Sequence, residues 1–159
     1  MSRISILIQQ LSHAKNLPLP QYVTEGAAGM DLSAAIGDSI TIQPGERALI
    51  PTGICIVIPE GYEGQVRPRS GLAIKRGIGM LNSPGTIDSD YRGEIGVILM
   101  NWDHAPQIIH RGDRIAQLII CPVIKADLIS VDSLTETKRG AGGFGHTGTK
   151  SHPETSETL

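Results

Sequence analysis

Apolar and polar residues alternate along several short stretches of this chain, at the two-residue period of a strand with one buried face. Ile4, Ile6 and Ile8 show the pattern near the start, and Ile54, Ile56 and Ile58 repeat it further on. Comparable runs, punctuated by glycine and proline, predict strands at 3–9, 39–43, 46–50, 53–58, 62–67, 94–101, 106–110, 113–120 and 123–131. One segment reads as helix. In SGLAIKRG at 70–77, Ser70 can act as N-cap, Lys75 and Arg76 suit the C-terminal turn, and Gly77 can close it in the left-handed conformation. Many short strands, one short helix and no internal repeat predict an all-β domain, a β-sandwich or jelly-roll-like β-barrel.

The apolar pattern stops near Lys138. Beyond it come glycines and then Thr, Ser, Glu, Lys and Pro, a composition that cannot offset its ordering entropy without a ligand. The expected organisation is therefore a β domain over 1–138, a flexible glycine-rich arm at 139–148 and a disordered tail at 149–159. In a chain of 159 residues the first part is long enough to bury a core of its own. A net charge of -2 gives no basic footprint, which argues against extended nucleic acid as partner and leaves room for a small anionic ligand. Cys55 and Cys121 sit in apolar runs and read as reduced, buried packing residues. The start, MSRISILIQQ, has no long apolar stretch followed by a cleavage site, and no run approaches the roughly 20 residues that span a bilayer. A soluble, cytoplasmic protein without membrane partners is the expectation.

Three groups of residues carry candidate chemistry. At the helix start, Arg69, Ser70 and Gly71 offer a guanidinium, a hydroxyl and open amides to one phosphate chain, although a structural cap with a surface arginine would use the same letters. In LNSPGTIDSDYRGEI, residues 82–95 read as a hairpin whose backbone can copy the edge of a base. There Asp88 is the candidate general base, with Asp90 two positions on and Tyr91 placed to pack against a sugar. Asp-Ser-Asp is equally ordinary turn chemistry. The third group is the arm. Gly140 to Thr147 has phosphate-loop spacing with His146 in place of lysine, but no helix is expected after it, so a phosphate-loop NTPase is rejected. Its glycines still allow close backbone approach to phosphates, with Arg139 and Thr147 as donors and Phe144 as a ring in need of a planar partner. Zinc-deaminase chemistry is excluded because the H-x-E fragment His152-Pro-Glu154 has no C-x-x-C partner. Any catalytic metal should be Mg²⁺ held mainly by phosphate oxygens and water, with Asp31 the candidate carboxylate.

Five motifs, AGMDL at 28–32, PRSGLA at 68–73, GTIDSDYRGEI at 85–95, RGDRIAQLI at 111–119 and RGAGGFGHTG at 139–148, occur in the order seen in the trimeric dUTPases, which the chain resembles over nearly its whole length. The resemblance implies a β-clip, a jelly-roll-like barrel assembled as a homotrimer with shared active sites. It implies cleavage of dUTP to dUMP and pyrophosphate with Mg²⁺, which lowers dUTP and supplies dUMP for thymidylate synthesis. By the same resemblance Asp88 activates the attacking water and Asp31 holds waters of the Mg²⁺. Arg69, Ser70, Gly71 and Gln117 would contact phosphates, while Asn82, Thr86, Ile87 and Gly96 would read uracil. Tyr91 would pack under deoxyribose. Phe144 would stack on uracil and Arg139 reach the γ-phosphate, with Gly145, His146 and Thr147 completing the arm's contacts. His146 stands where many members have serine. The alternatives are a dCTP deaminase on the same scaffold, against which the GTIDSDY string and the arm argue, and a catalytically silent nucleotide sensor.

Overall fold

The computed structural model describes residues 4–146. Eleven strands run in order as β1 Leu7–Gln10, β2 Met30–Ser33, β3 Ile40–Ile42, β4 Arg47–Pro51, β5 Ile54–Val57, β6 Tyr62–Pro68, β7 Ile78–Met80, β8 Gly85–Ile87, β9 Gly96–Asn101, β10 Gln107–Ile109 and β11 Arg114–Pro122. A 3-10 turn at Ser12–Ala14 and helix α1 at Ser70–Arg76 complete the elements. The fold is all-β with one short helix, as the alternation implies. Its ladders do not close into one continuous barrel. They form four antiparallel sheets among the described residues: β2-β11-β6-β8, β4-β9-β7, β1-β5 and β3-β10.

Contacts divide the chain into two compact units, Met1–Lys125 and Ala126–Leu159, and all the strands belong to the first. Its core is aliphatic. Leu32, Ile42, Ile50, Ile95, Val97 and Leu99 are fully buried and come from both larger sheets, from β3 and from the connection before β9. Each such side chain contributes about 1.5–3 kcal/mol by leaving water. The alternation in ICIVI puts Ile54, Ile56 and Ile58 inward, where all three are buried. The first alternating run behaves differently: β1 is exposed at every position, because it pairs only with β5 at the edge of the unit. Arg3, the first residue of the expected strand, lies outside the described residues.

Buried polar groups stitch this core. Asn101 is fully buried; its Nδ2 donates to the carbonyls of Ile42 and Ala105 at 2.9 Å each, and its Oδ1 accepts from the Asp103 amide at 2.8 Å. Replacing it with alanine strands those three backbone groups at a cost of about 3 kcal/mol. The expected result of Asn101→Ala is a melting midpoint lowered by roughly 10 °C. A scanning calorimetry midpoint within about 2 °C of the parent would mean that the network contributes nothing.

Four expectations need correction. Residues 123–131 form no strand: Ile124 and Leu128 are 93% and 96% exposed, and an isolated alternating segment has no ladder to join. The helix N-cap is Arg69, in extended conformation with φ -95° and ψ 126°, and Ser70 is the first helical residue. The Gly77 end is as expected, left-handed at φ 56° with its amide returned to the Ala73 carbonyl. Residues 82–95 are not a hairpin, because β8 pairs with β6 while β9 pairs with β4 and β7. The connection crosses between sheets since buried Ile95 is held by Ile54 and Thr52. Cys55 and Cys121 are unpaired thiols but only half-buried. Desolvation pushes the Cys55 thiol pKa up, and the nearby Glu94 charge adds to the shift.

Candidate active site

The sheet β2-β11-β6-β8 carries two separate groups of site residues. Inward positions such as Leu32, Val66 and Leu118 alternate with outward ones, so Asp31, Gln117 and Arg67 share the outer face. They lie side by side in one rung, Asp31 opposite Gln117 and Gln117 opposite Arg67. Arg69 stands just past the end of β6, at the start of α1. Its Nε approaches Asp31 Oδ1 at 2.9 Å, and Arg114 Nη1 meets Asp31 Oδ2 at 3.0 Å. Arg69 Nη1 also donates to the Arg114 carbonyl at 3.1 Å. One carboxylate thus holds two guanidinium groups in place and leaves the cluster net positive, suited to a polyphosphate. The amides of Ser70 and Gly71 precede any intrahelical acceptor and add open donors beside it.

The Asp31 cluster also bears on metal. Arg69 Nε lies off the hydrogen-bonding direction of Oδ1, so that atom is buried and charge-paired yet accepts no hydrogen bond. It has capacity for one more donor, such as a water. A bare dication at this carboxylate would face two guanidinium groups, and no cluster of three His, Cys, Asp or Glu suited to a metal exists among the described residues. The donor set fits a Mg²⁺ that brings most of its own oxygen ligands, with Asp31 the carboxylate that would hold it. Arg114 is a member of this cluster that the motif reading passed over. Only the pairing of β11 with β2 brings it to Asp31.

The second group surrounds a cleft of about 300 Å³. Asn82, Gly85, Thr86, Ile87, Asp88 and Tyr91 line one part of it, and Leu49, Met80, Gly96 and Ile98 supply an apolar floor. β8 is the edge strand of its sheet, so one row of its backbone donors and acceptors is unpaired. Two glycines keep the cleft open: a Cβ on Gly96 would lie 2.7 Å from Leu49 Cδ1, and one on Gly85 would lie 3.3 Å from Asn82 Nδ2. Asp88 is exposed directly after β8, where its carbonyl accepts from the Tyr91 amide at 3.1 Å in a tight turn. Tyr91 is 44% exposed, not packed in the core, and its hydroxyl donates to the Glu94 carbonyl at 3.0 Å. The ring lines the cleft. Asp88 also borders a larger, open hollow of about 820 Å³ with Glu63, Asp90, Arg92 and Lys125.

Within one chain Asp31 stands well away from the edge of the cleft. Strands sit about 4.8 Å apart, so three steps separate β2 from β8 by roughly 14 Å. Thr86 lies two residues beyond the Asp31 rung, which makes the separation roughly 16 Å, and Asp88 lies further still.

In the second unit the arm is a succession of turns. Arg139 Nε donates to the Gly142 carbonyl at 2.8 Å, and the His146 amide donates to the Gly143 carbonyl at 3.1 Å. Gly140 and Gly145 take positive φ, and Phe144 joins them at φ 46° with its ring fully exposed. Thr147 and the tail 149–159 lie outside the described residues. No helix among the described residues is long and apolar enough to cross a membrane.

Comparison with known proteins bears on the family. The dUTPase family model matches residues 15–148. A deoxyuridine 5'-triphosphate nucleotidohydrolase of Beijerinckia indica is 58% identical, covering 92% of this chain and 93% of that one. One from Methylocella silvestris is 57% identical over 96% of both. Among solved structures, the dUTPase of Staphylococcus bacteriophage 80alpha with dUPNHPP superposes with a TM-score of 0.78 at 27% identity, covering 91% of this chain and 99% of that one. A variant dUTPase of phage phi11 of S. aureus, described for its coordination of a structural Mg(II) ion, gives 0.74 at 25% identity over 84% of this chain and 100% of that one. With the five ordered motifs, the β-clip and the family match spanning nearly all of its described residues, this chain belongs to the dUTPase family, the deoxyuridine 5'-triphosphate nucleotidohydrolases.

Proposed function

We propose that this enzyme hydrolyses dUTP to dUMP and pyrophosphate in the cytoplasm, at sites built jointly by the subunits of a homotrimer. The observation that carries this reading is the separation within one chain of a base-sized cleft edged by Asp88 from a cationic cluster centred on Asp31. A nucleoside triphosphate needs both at once, and a second copy can bring its cationic cluster to the cleft. Uracil enters the cleft against Asn82, the β8 backbone at Thr86 and Ile87, and Gly96. In this reading a 5-methyl group would crowd the β8 backbone, and cytosine would meet its donors and acceptors reversed, at about 1–3 kcal/mol per unpaired buried group. Deoxyribose packs on Tyr91.

Arg69, Ser70, Gly71 and Gln117 take the phosphates, with Arg114 steadying Asp31. Asp31 would hold the waters of Mg²⁺ arriving with the triphosphate, and the ion would supply charge neutralisation there. Asp88 accepts a proton from water as its oxygen attacks the α-phosphorus; the bond to the bridging oxygen breaks and pyrophosphate leaves. The arm of a neighbouring subunit closes the site, Phe144 over the base and Arg139 at the γ-phosphate, with Gly145, His146 and Thr147 along the chain of phosphates. This removes dUTP and supplies dUMP for thymidylate synthesis.

Product analysis with Mg²⁺ and each of dUTP, dCTP, dTTP and UTP tests the reading. Pyrophosphate and dUMP from dUTP alone are expected. Ammonia from dCTP would identify a deaminase, and tight dUTP binding without turnover a sensor. Light scattering that finds a fully active monomer would overturn the shared site.

A further inference from the structure

One acidic side chain bordering the base cleft is committed away from it. Glu94 lines the cleft beside Tyr91 and Gly96, yet its Oε1 accepts from the Gly53 amide at 2.6 Å and lies 3.0 Å from His13 Nε2. Its main-chain carbonyl is the acceptor for the Tyr91 hydroxyl. The next residue, Ile95, is fully buried; its amide donates to the Ile54 carbonyl at 2.8 Å, and its carbonyl accepts from the Thr52 hydroxyl at 2.6 Å. The strip 91–96 is therefore tied to the turn between β4 and β5 at consecutive residues.

That turn is itself braced. Gly53 has a φ of 67°, and a Cβ there would overlap Ala14, whose Cα is 3.2 Å from the position it would take. The glycine lets the 3-10 turn pack directly on the β4–β5 turn, and the Leu11 amide donates to the Gly53 carbonyl at 2.8 Å. A carboxylate accepting from a backbone amide makes one of the stronger hydrogen bonds available to it. The Gly53–Glu94 bond thus links a rigid turn to the residue that anchors the Tyr91 hydroxyl.

The geometry points to Glu94 as a positioning residue for sugar selectivity: its carboxylate clamps the 91–96 strip to Gly53 and so fixes the height of the Tyr91 ring in the cleft. The inference rests on the reading that deoxyribose packs on Tyr91. A ring held at one height leaves no room for a 2′-hydroxyl, whereas a ring on a loosened strip can recede and admit one. Asp88 lies at the far end of the Tyr91 turn, outside the clamp, so turnover of dUTP depends on Glu94 less than selectivity does.

The test measures kcat/KM for dUTP and for UTP in the full-length parent and in Glu94→Ala, Glu94→Gln and Glu94→Asp, each with its melting midpoint. Glu94→Ala is expected to lose on the order of tenfold of the dUTP-over-UTP preference, mainly through a rise in kcat/KM for UTP. Glu94→Gln keeps an oxygen for the Gly53 amide and should stay within about threefold of the parent. Glu94→Asp keeps the charge but withdraws the oxygen by one methylene, and should lose selectivity like the alanine variant. If alanine does not fold, the Asp and Gln variants carry the same contrast. A selective parent with equally selective Ala and Asp variants would overturn the inference alone, as would a Gln variant as unselective as Ala. A parent that hydrolyses dUTP and UTP equally would overturn the deoxyribose reading and the inference with it.

Discussion

Asp88→Asn is expected to lower kcat for dUTP by about 10²–10⁴-fold, the usual contribution of a positioned general base. Asparagine has the same shape, and the turn that Asp88 begins depends on its main-chain carbonyl, which accepts from the Tyr91 amide. The side chain is exposed, so no core contact is lost and the melting midpoint should stay put. Binding of dUTP should also survive, because the cleft residues and the cluster at Asp31 are untouched. Single-turnover rates alongside calorimetric dUTP titration with Mg²⁺ separate the two effects. A variant that turns over within a few-fold of the parent would show that another group takes the proton.

Removal of residues 139–159 should reduce kcat by on the order of 10²-fold or more, since an arginine brought to a transferring phosphate is commonly worth at least that. The fold should be unaffected, because among the described residues no buried core residue lies beyond Leu118. Phe144→Ala should reproduce part of the loss through KM, because the fully exposed ring has only a stacking role to give up. Steady-state rates and melting midpoints for the parent, the truncated chain and Phe144→Ala decide the matter. A truncated enzyme with the parent's rate would remove the arm from the mechanism, and one that no longer folds would give the arm a structural role instead.

Local chemistry in the chain determined a good deal. Strict alternation at Ile54, Ile56 and Ile58 specified a strand with one buried face, and Gly77 specified the helix end, because each requirement is met within a few residues. The motifs likewise carried the family. Strands β2 and β7 escaped notice because MDLS and IGM are too short to show a period, and they exist as strands only because β11 and β9 pair with them. The reverse error at 123–131 has the same cause: alternation without a partner strand is only a pattern.

For the site, residue types were legible and their grouping was not. Asp31 and Arg69 stand far apart in sequence and meet through an ion pair, and Arg114 joins them only through the register of β11 against β2. Glu94 read only as the charged first residue of a strand until folding placed Gly53 and His13 against it. The sequence by itself determined which strands can form, which glycines permit close approach and which groups can bind phosphate or take a proton, because propensity and acid–base chemistry are local properties. Tertiary structure alone decided which of those groups face one another and that Asp31 and Thr86 stand roughly 16 Å apart, because strand order and register are settled by burial of the whole core.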